Sequence, residues 1–102
     1  MKQKLFHLYN RLKKSFVSEI TDIVKHDGGE ITFNPIIKID KPCDDGEMFD
    51  EIACLQYDKK EKTLYVHLME VQIDVPIIEQ HEYWIPLRDL SFDDIYKITE
   101  RL

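Results

Sequence analysis

The spacing of apolar residues changes from a helical period to a strand period at one pair of glycines, Gly28 and Gly29. Before this pair, apolar side chains recur every three or four residues over 4–26, which predicts one long amphipathic helix. Glycine accepts the left-handed backbone conformation at a helix C-terminus, so the pair predicts where the helix ends. We expect the main apolar row to face the core, and it consists of Leu5, Leu8, Leu12, Phe16, Ile20 and Ile23.

A second, shorter apolar row lies beside the first on the same predicted helix. It consists of Phe6, Val17 and Val24. Two helices that share one face of a sheet must touch, so we expect this row to pack sideways against a last helix. The alternative interpretation is a groove for a partner.

Beyond the glycines, the sequence indicates antiparallel strands. Residues 30–40 alternate between apolar and polar, which is typical of a half-buried strand. Pro35 and Pro86 have no N–H group for a strand ladder, so each places its strand at an edge or at a bulge. The predicted strands cover 30–40, 51–57, 63–73 and 83–87, and the predicted loops cover 41–50, 58–62 and 74–82.

The chain closes with a short helix that begins at Ser91. The Ser91 hydroxyl can accept a hydrogen bond from a free amide of the first turn, and Asp94 follows three residues later. The element order predicts a single α+β domain over 1–102. We expect two layers, in which an antiparallel sheet of three to four strands carries the long N-terminal helix and the short C-terminal helix on one face.

Two stretches carry a resemblance to other proteins. One is IVKHDGGEI at 23–31, a helix that closes on two glycines before a strand, and the other is WIPLRDLSFDDIY at 84–96. Together they resemble small uncharacterised bacterial proteins with a helix-strand-strand-strand-helix order. The resemblance implies the same fold, and it brings no activity with it.

The sequence contains no known pattern of catalytic or cofactor-binding residues. Three glycines cannot form a phosphate-binding loop, and the acidic stretch 40–51 fails the calcium-loop pattern. The four histidines lack zinc-ligand spacing, and for His67 we expect a half-buried ring with one satisfied nitrogen. We therefore predict no catalytic residue, no metal and no cofactor.

The charge is distributed unevenly along the chain. The net charge is -6, yet residues 1–18 contain five basic residues and no acidic one. This favours docking of the helix on its own acidic body, and an alternative is contact with nucleic acid phosphates. We expect no membrane contact, because the apolar row is needed for the core. The basic face of the alternative consists of Lys4, Arg11, Lys13 and Lys14.

The location follows from the chain start and the cysteines. Residues 1–17 contain no uninterrupted apolar run of the kind that a secretory signal needs. Cys43 and Cys54 fit no paired-cysteine motif, so we expect two thiols in a reducing compartment. The predicted location is the cytoplasm.

The third predicted strand is apolar on both of its faces. We expect Leu64, Val66 and Leu68 to face the helices, because they carry no polar atoms. The other face then needs a cover, which we expect to be a second copy in a two-fold dimer or the loop 74–82 folded back. The predicted function is a non-enzymatic protein-interaction module that self-associates. The predicted interaction surface consists of Ile36, Tyr65, His67, Met69 and Trp84.

Overall fold

The computed structural model describes residues 2–41 and 46–102, with side chains from residue 8 onwards. A long helix and a short helix flank four antiparallel strands, which form one sheet in the order β1-β2-β3-β4. The predicted α+β class and antiparallel sheet are confirmed. The elements are α1 Lys2–His26, β1 Glu30–Lys41, β2 Glu47–Asp58, β3 Thr63–Asp74, β4 Ile77–Pro86, a 3-10 turn Leu87–Asp89 and α2 Phe92–Arg101.

The core lies between the two helices and one face of the sheet. Ile20 of α1 and Ile95 of α2 are at most 1% exposed and belong to the same buried cluster as the central strands. On β3, the side chains that point into this cluster are Leu64, Val66 and Leu68. The predicted orientation of β3 is therefore confirmed.

The rotation of α1 about its own axis differs from the prediction. Ile20 does face the sheet, but Leu8, Leu12 and Ile23 are 45–52% exposed. Val24 is fully buried in their place, and Val17 also packs against the core. The cause is α2, because Phe92 occupies the flank of α1 with its ring centroid 5.3 Å from that of Phe16. The side chains of Leu5 and Phe6 lie outside the described part of the chain.

Two segments predicted as loops are strands, at least in part. Glu47–Asp50 begins β2 and pairs with Glu70–Ile73, although its acidic sequence suggested a solvated loop. Residues 42–45 of that predicted loop lie outside the described residues. Ile77–Glu82 belongs to β4 and pairs with β3, so the predicted loop 74–82 reduces to a two-residue turn at Val75 and Pro76. This segment extends the sheet and does not fold back over its open face.

The two helix ends that the sequence marked are confirmed. Gly28 and Gly29 have φ angles of 92° and 90°, and the Gly29 N–H donates to the carbonyl of Val24 at 2.8 Å. Ser91 caps α2, because its hydroxyl oxygen accepts a hydrogen bond from the Asp94 N–H at 3.2 Å. These caps satisfy backbone groups that a helix end leaves free. They fix where α1 and α2 meet the sheet.

Candidate interaction surface

The face of the sheet that carries no helix presents the odd-numbered residues of β3. Tyr65, His67 and Met69 alternate with the core residues and are half-buried on this open face. Here "open face" means the side of the sheet formed by Tyr65, His67, Met69 and the cross-strand neighbours of these residues. The structure thus places three of the five predicted surface residues in one row along the central strand.

Trp84 lies directly across from His67 on the neighbouring strand β4. The two rings are stacked, with centroids 4.5 Å apart and planes at 10°. The His67 Nε2 atom is 3.0 Å from a carboxylate oxygen of Glu82, which satisfies one ring nitrogen. The His67 ring contacts both Glu82 and the Trp84 indole, so it restricts the orientation of the indole. Trp84 remains 46% exposed.

Tyr65 and Trp84 also line a common cavity at the end of the open face. Its volume is about 550 Å³, and the charged β2–β3 hairpin closes one side of it. The Tyr65 hydroxyl donates to the Glu61 carboxylate, and this hydrogen bond raises the pKa of Tyr65. The cavity therefore combines two aromatic walls with a charged rim. The remaining lining residues are Gln56, Tyr57, Asp58, Lys59 and Lys60.

Ile36 lies apart from the other predicted surface residues. It is 39% exposed on β1, at the opposite edge of the sheet from Trp84. Two strands separate β1 from β4, which corresponds to about 14 Å at roughly 4.8 Å per strand. Ile36 and Trp84 therefore lie on strands that form opposite edges of the sheet.

Part of the open face is covered by the protein's own side chains. Phe49 and Val71 are cross-strand neighbours there, and both are buried. The ammonium of Lys38 lies 4.3 Å from the Phe49 ring centroid and 2.9 Å from a Glu47 carboxylate oxygen. Long charged side chains commonly shield apolar surface with their methylene stems. The exposed apolar surface of the sheet is therefore concentrated near β4.

The basic residues of α1 line a groove that the sequence showed only in part. Arg11, Lys13 and Lys14 surround a volume of about 660 Å³ together with Arg88 from the 3-10 turn. Among the side chains that the structure describes, none of these four forms an ion pair. The predicted residue Lys4 lies outside the described side chains. The groove also contains Asn10, Val17 and Ser18.

A partly buried cluster of three charged side chains lies on the helix side of the sheet, beyond the apolar core. The Lys41 ammonium is 3.0 Å from Asp50 and 3.1 Å from Glu70, and Asp50 is 7% exposed. Burial alone would lower the pKa of Lys41, but its hydrogen bonds to the two carboxylates raise it above the ordinary value. Burial and the nearby negative charge of Asp50 raise the pKa of Tyr83. Sequence reasoning missed this cluster because it joins strands that are distant along the chain.

Among the side chains of 8–41 and 46–102, no three of His, Cys, Asp or Glu come together to hold a metal ion. Within 2–41 and 46–102, no helix is both long enough and apolar enough to cross a membrane. Cys54 is a buried thiol, and burial raises its pKa. Cys43 lies outside the described residues.

The chain was compared with known proteins. No protein-family model, no curated protein and no solved structure matches it.

Proposed function

We propose that this protein is a non-enzymatic protein-interaction module that self-associates through the β4 side of its open face. The observation that carries the proposal is Trp84, a large aromatic ring that is 46% exposed and held in place by stacking on His67. A fixed aromatic side chain offers a large contact area at a low cost in conformational entropy. Tryptophan is accordingly enriched among the residues that dominate binding energy at interfaces.

The distribution of exposed apolar residues supports this choice of surface. In the sheet, exposed large apolar side chains occur mainly at β4 and in the turn before it, where Ile77 and Ile78 are 60% and 64% exposed. Val75 in the turn is 87% exposed. Ile78 and Trp84 share the open face, whereas Ile77 points to the other side of the strand. Large exposed apolar side chains grouped on one strand are typical of an interaction site. Two-fold dimers are the commonest way in which such a surface is covered.

Two titratable side chains of the sheet, His67 and Lys41, are engaged in contacts within the chain. His67 is stacked and bonded to Glu82, and Lys41 is bound by two carboxylates. A general base or a nucleophile needs a free position toward its substrate. These contacts favour a binding role over catalysis.

The self-association is tested by light scattering on the wild type, Trp84→Lys and Ile23→Lys. Trp84 and Ile23 are equally exposed at 46%, but Ile23 lies on α1, on the other side of the molecule. We expect a dimer for the wild type and for Ile23→Lys, and a monomer for Trp84→Lys. A monomeric wild type across the micromolar range would contradict the proposal, and so would a dimer that only Ile23→Lys disrupts.

We propose a cytoplasmic location and a bacterial origin as the setting for this function. The location is supported by Cys54, which is a buried thiol of the kind that persists in a reducing compartment. The origin is supported by the resemblance of 23–31 and 84–96 to small bacterial proteins and by the matching element order.

A second candidate function is nucleic-acid binding through the basic groove. The observation that favours it is Arg88, which brings a fourth positive charge to the groove from a separate element of the fold. Phosphate contacts release counterions, so the logarithm of the affinity should fall by about 0.7–0.9 per contact for each tenfold rise in salt.

This candidate function is tested with Lys14→Glu/Arg88→Glu and with the matched control Lys59→Glu/Lys60→Glu. Both variants change the net charge equally, but the control changes it in the β2–β3 hairpin. Nucleic-acid binding by the wild type and the control, with none by the groove variant, would support the candidate. No binding by the wild type at low salt would exclude it.

A further inference from the structure

The two edges of the sheet differ in how they are protected. At the β1 edge, Pro35 has no N–H group, and the pairing register with β2 shifts between Thr32 and Ile37. The Pro35 carbonyl already accepts a hydrogen bond at 2.7 Å from the guanidinium of Arg101, at the end of α2. Proline, an irregular register and a covering helix are the features that prevent an edge strand from pairing with another chain.

The β4 edge has none of these protections among the described residues. β4 pairs with β3 in an unbroken register from Ile77 to Pro86, with proline only at its last position. β4 contains no lysine, no covering element lies along it in the part of the chain that the structure describes, and residues 77–82 are all exposed. The outer side of β4 therefore presents a row of backbone donors and acceptors that can pair with another strand.

We propose that β4 pairs antiparallel with β4 of a second copy, about a two-fold axis at His81, so that the two sheets become one. This inference rests on the proposed self-association and names how the second copy is held. Backbone hydrogen bonds along the strand would provide much of the contact, as in other complexes formed by strand addition. The stacked Trp84 would then lie at the seam between the two sheets.

The side chains of β4 are complementary to themselves in this register. A two-fold axis normal to a sheet places one residue opposite its own copy, and its neighbours then pair symmetrically about it. With His81 on the axis, Ile77 meets Ile85 and Ile78 meets Trp84. Glu82 then meets the amide of Gln80, and no carboxylate opposes another. Apolar pairs directly across two strands stabilise the pairing.

The neighbouring two-fold registers are less favourable. An axis at Glu79 or at Glu82 places that carboxylate opposite its own copy, which is destabilising. An axis at Gln80 places Ile78 opposite Glu82, so an exposed apolar residue meets a charge. The register at His81 pairs the strand from Ile77 to Ile85 and leaves out only Pro86, which has no N–H group.

Cysteine crosslinking tests this arrangement in a Cys43→Ser background. On the axis, the two copies of residue 81 lie about 4.5–5.5 Å apart between Cα atoms, within the range of a disulfide. The two copies of residue 79 lie roughly 14 Å apart along the strands, which no disulfide can span. We expect His81→Cys to form a covalent dimer on mild oxidation and Glu79→Cys to remain uncrosslinked at the same protein concentration.

The outcomes separate this inference from the proposed function. If the wild type is a dimer but His81→Cys does not crosslink, the β4 pairing is wrong and the self-association stands. If Gln80→Cys crosslinks in preference to His81→Cys, the two-fold axis is at Gln80 and the proposed register is overturned. If the wild type is a monomer by light scattering, the proposed function itself fails.

A charge substitution provides a second test that needs no oxidation. In the proposed register, Gln80→Lys creates two symmetric ion pairs with Glu82 of the partner, and Gln80→Glu creates two repulsive pairs. We expect the first variant to tighten the dimer about three- to tenfold and the second to weaken it by a similar factor. Dissociation constants from sedimentation equilibrium decide this, and equal effects of the two variants would overturn the register.

Discussion

The two faces of β3 differ in environment although their residues alternate along one strand. Leu64, Val66 and Leu68 are at most 3% exposed beneath the helices. Tyr65 and Met69, one residue away, are half-buried on a face that no helix covers. The covered face holds the fold together through close packing. Fewer side chains of the open face are closely packed, so its aromatic and polar residues are available for binding.

The largest expected effect is on folding stability, and it appears when two adjacent residues on the two faces are each replaced by alanine. Leu68→Ala removes a side chain that is 1% exposed, and we expect it to lower the free energy of unfolding by about 2–5 kcal/mol. Met69→Ala on the open face should cost less than about 1 kcal/mol. Urea unfolding of both variants measures the difference. Equal losses would mean that the open face is also part of the core.

The partly buried cluster of Lys41, Asp50 and Glu70 lies where the covered face becomes polar. Asp50→Ala leaves the Lys41 ammonium with Glu70 as its remaining carboxylate, and we expect a loss of about 1–3 kcal/mol. Asp40→Ala is the control, because its side chain is 84% exposed and lies 3.9 Å from Lys38. That variant should be close to neutral in the same unfolding measurement. A neutral Asp50→Ala would show that the cluster contributes nothing to the covered face.

The attachment of α2 to the covered face depends on its N-terminal cap. Ser91→Ala removes the hydroxyl that accepts from the Asp94 N–H, and we expect a loss of about 1 kcal/mol. Ser18→Ala, on the exposed surface of α1, is the matched control and should leave stability unchanged or slightly higher. If both substitutions have the same effect on the unfolding midpoint, the cap does not stabilise the helix.

The smallest expected effect is a difference in alkaline stability. The pKa of Tyr83 is raised in the folded state, so its contribution is complete below the unfolded pKa of about 10. That contribution is lost as pH rises, because the unfolded chain releases the phenolic proton first. Tyr83→Phe should therefore lose less stability than the wild type as the pH rises from about 9 to about 11. An identical pH slope for both proteins would contradict this assignment.

Much of the covered face could be predicted from the sequence because its pattern is local. The alternation of Leu64, Val66 and Leu68 set the orientation of β3, and the glycine pair and Ser91 marked two helix ends. The rotation of α1 could not be predicted in this way. Two apolar rows lie side by side on that helix, and the packing of Phe92 against Phe16 decides which row faces the sheet.

The open face and its edges were harder to predict because they depend on pairing between distant segments. The first residues of β2 are acidic, and lysines on β1 compensate their charge, as Lys41 does for Asp50. The first half of β4 has two adjacent isoleucines, Ile77 and Ile78, followed by three polar residues, so it lacks the alternation that marks a strand. Arg88 joins the basic groove only through the fold.

We propose that the protein self-associates through β4 and leaves β1 free. Amide hydrogen exchange at two protein concentrations, about a hundredfold apart, measures both edges in one experiment. We predict that alternate amides between Ile77 and Ile85 exchange more slowly in the concentrated sample, with no change along β1. Exchange at β4 that is independent of concentration, or slowing at β1 in its place, would contradict the claim.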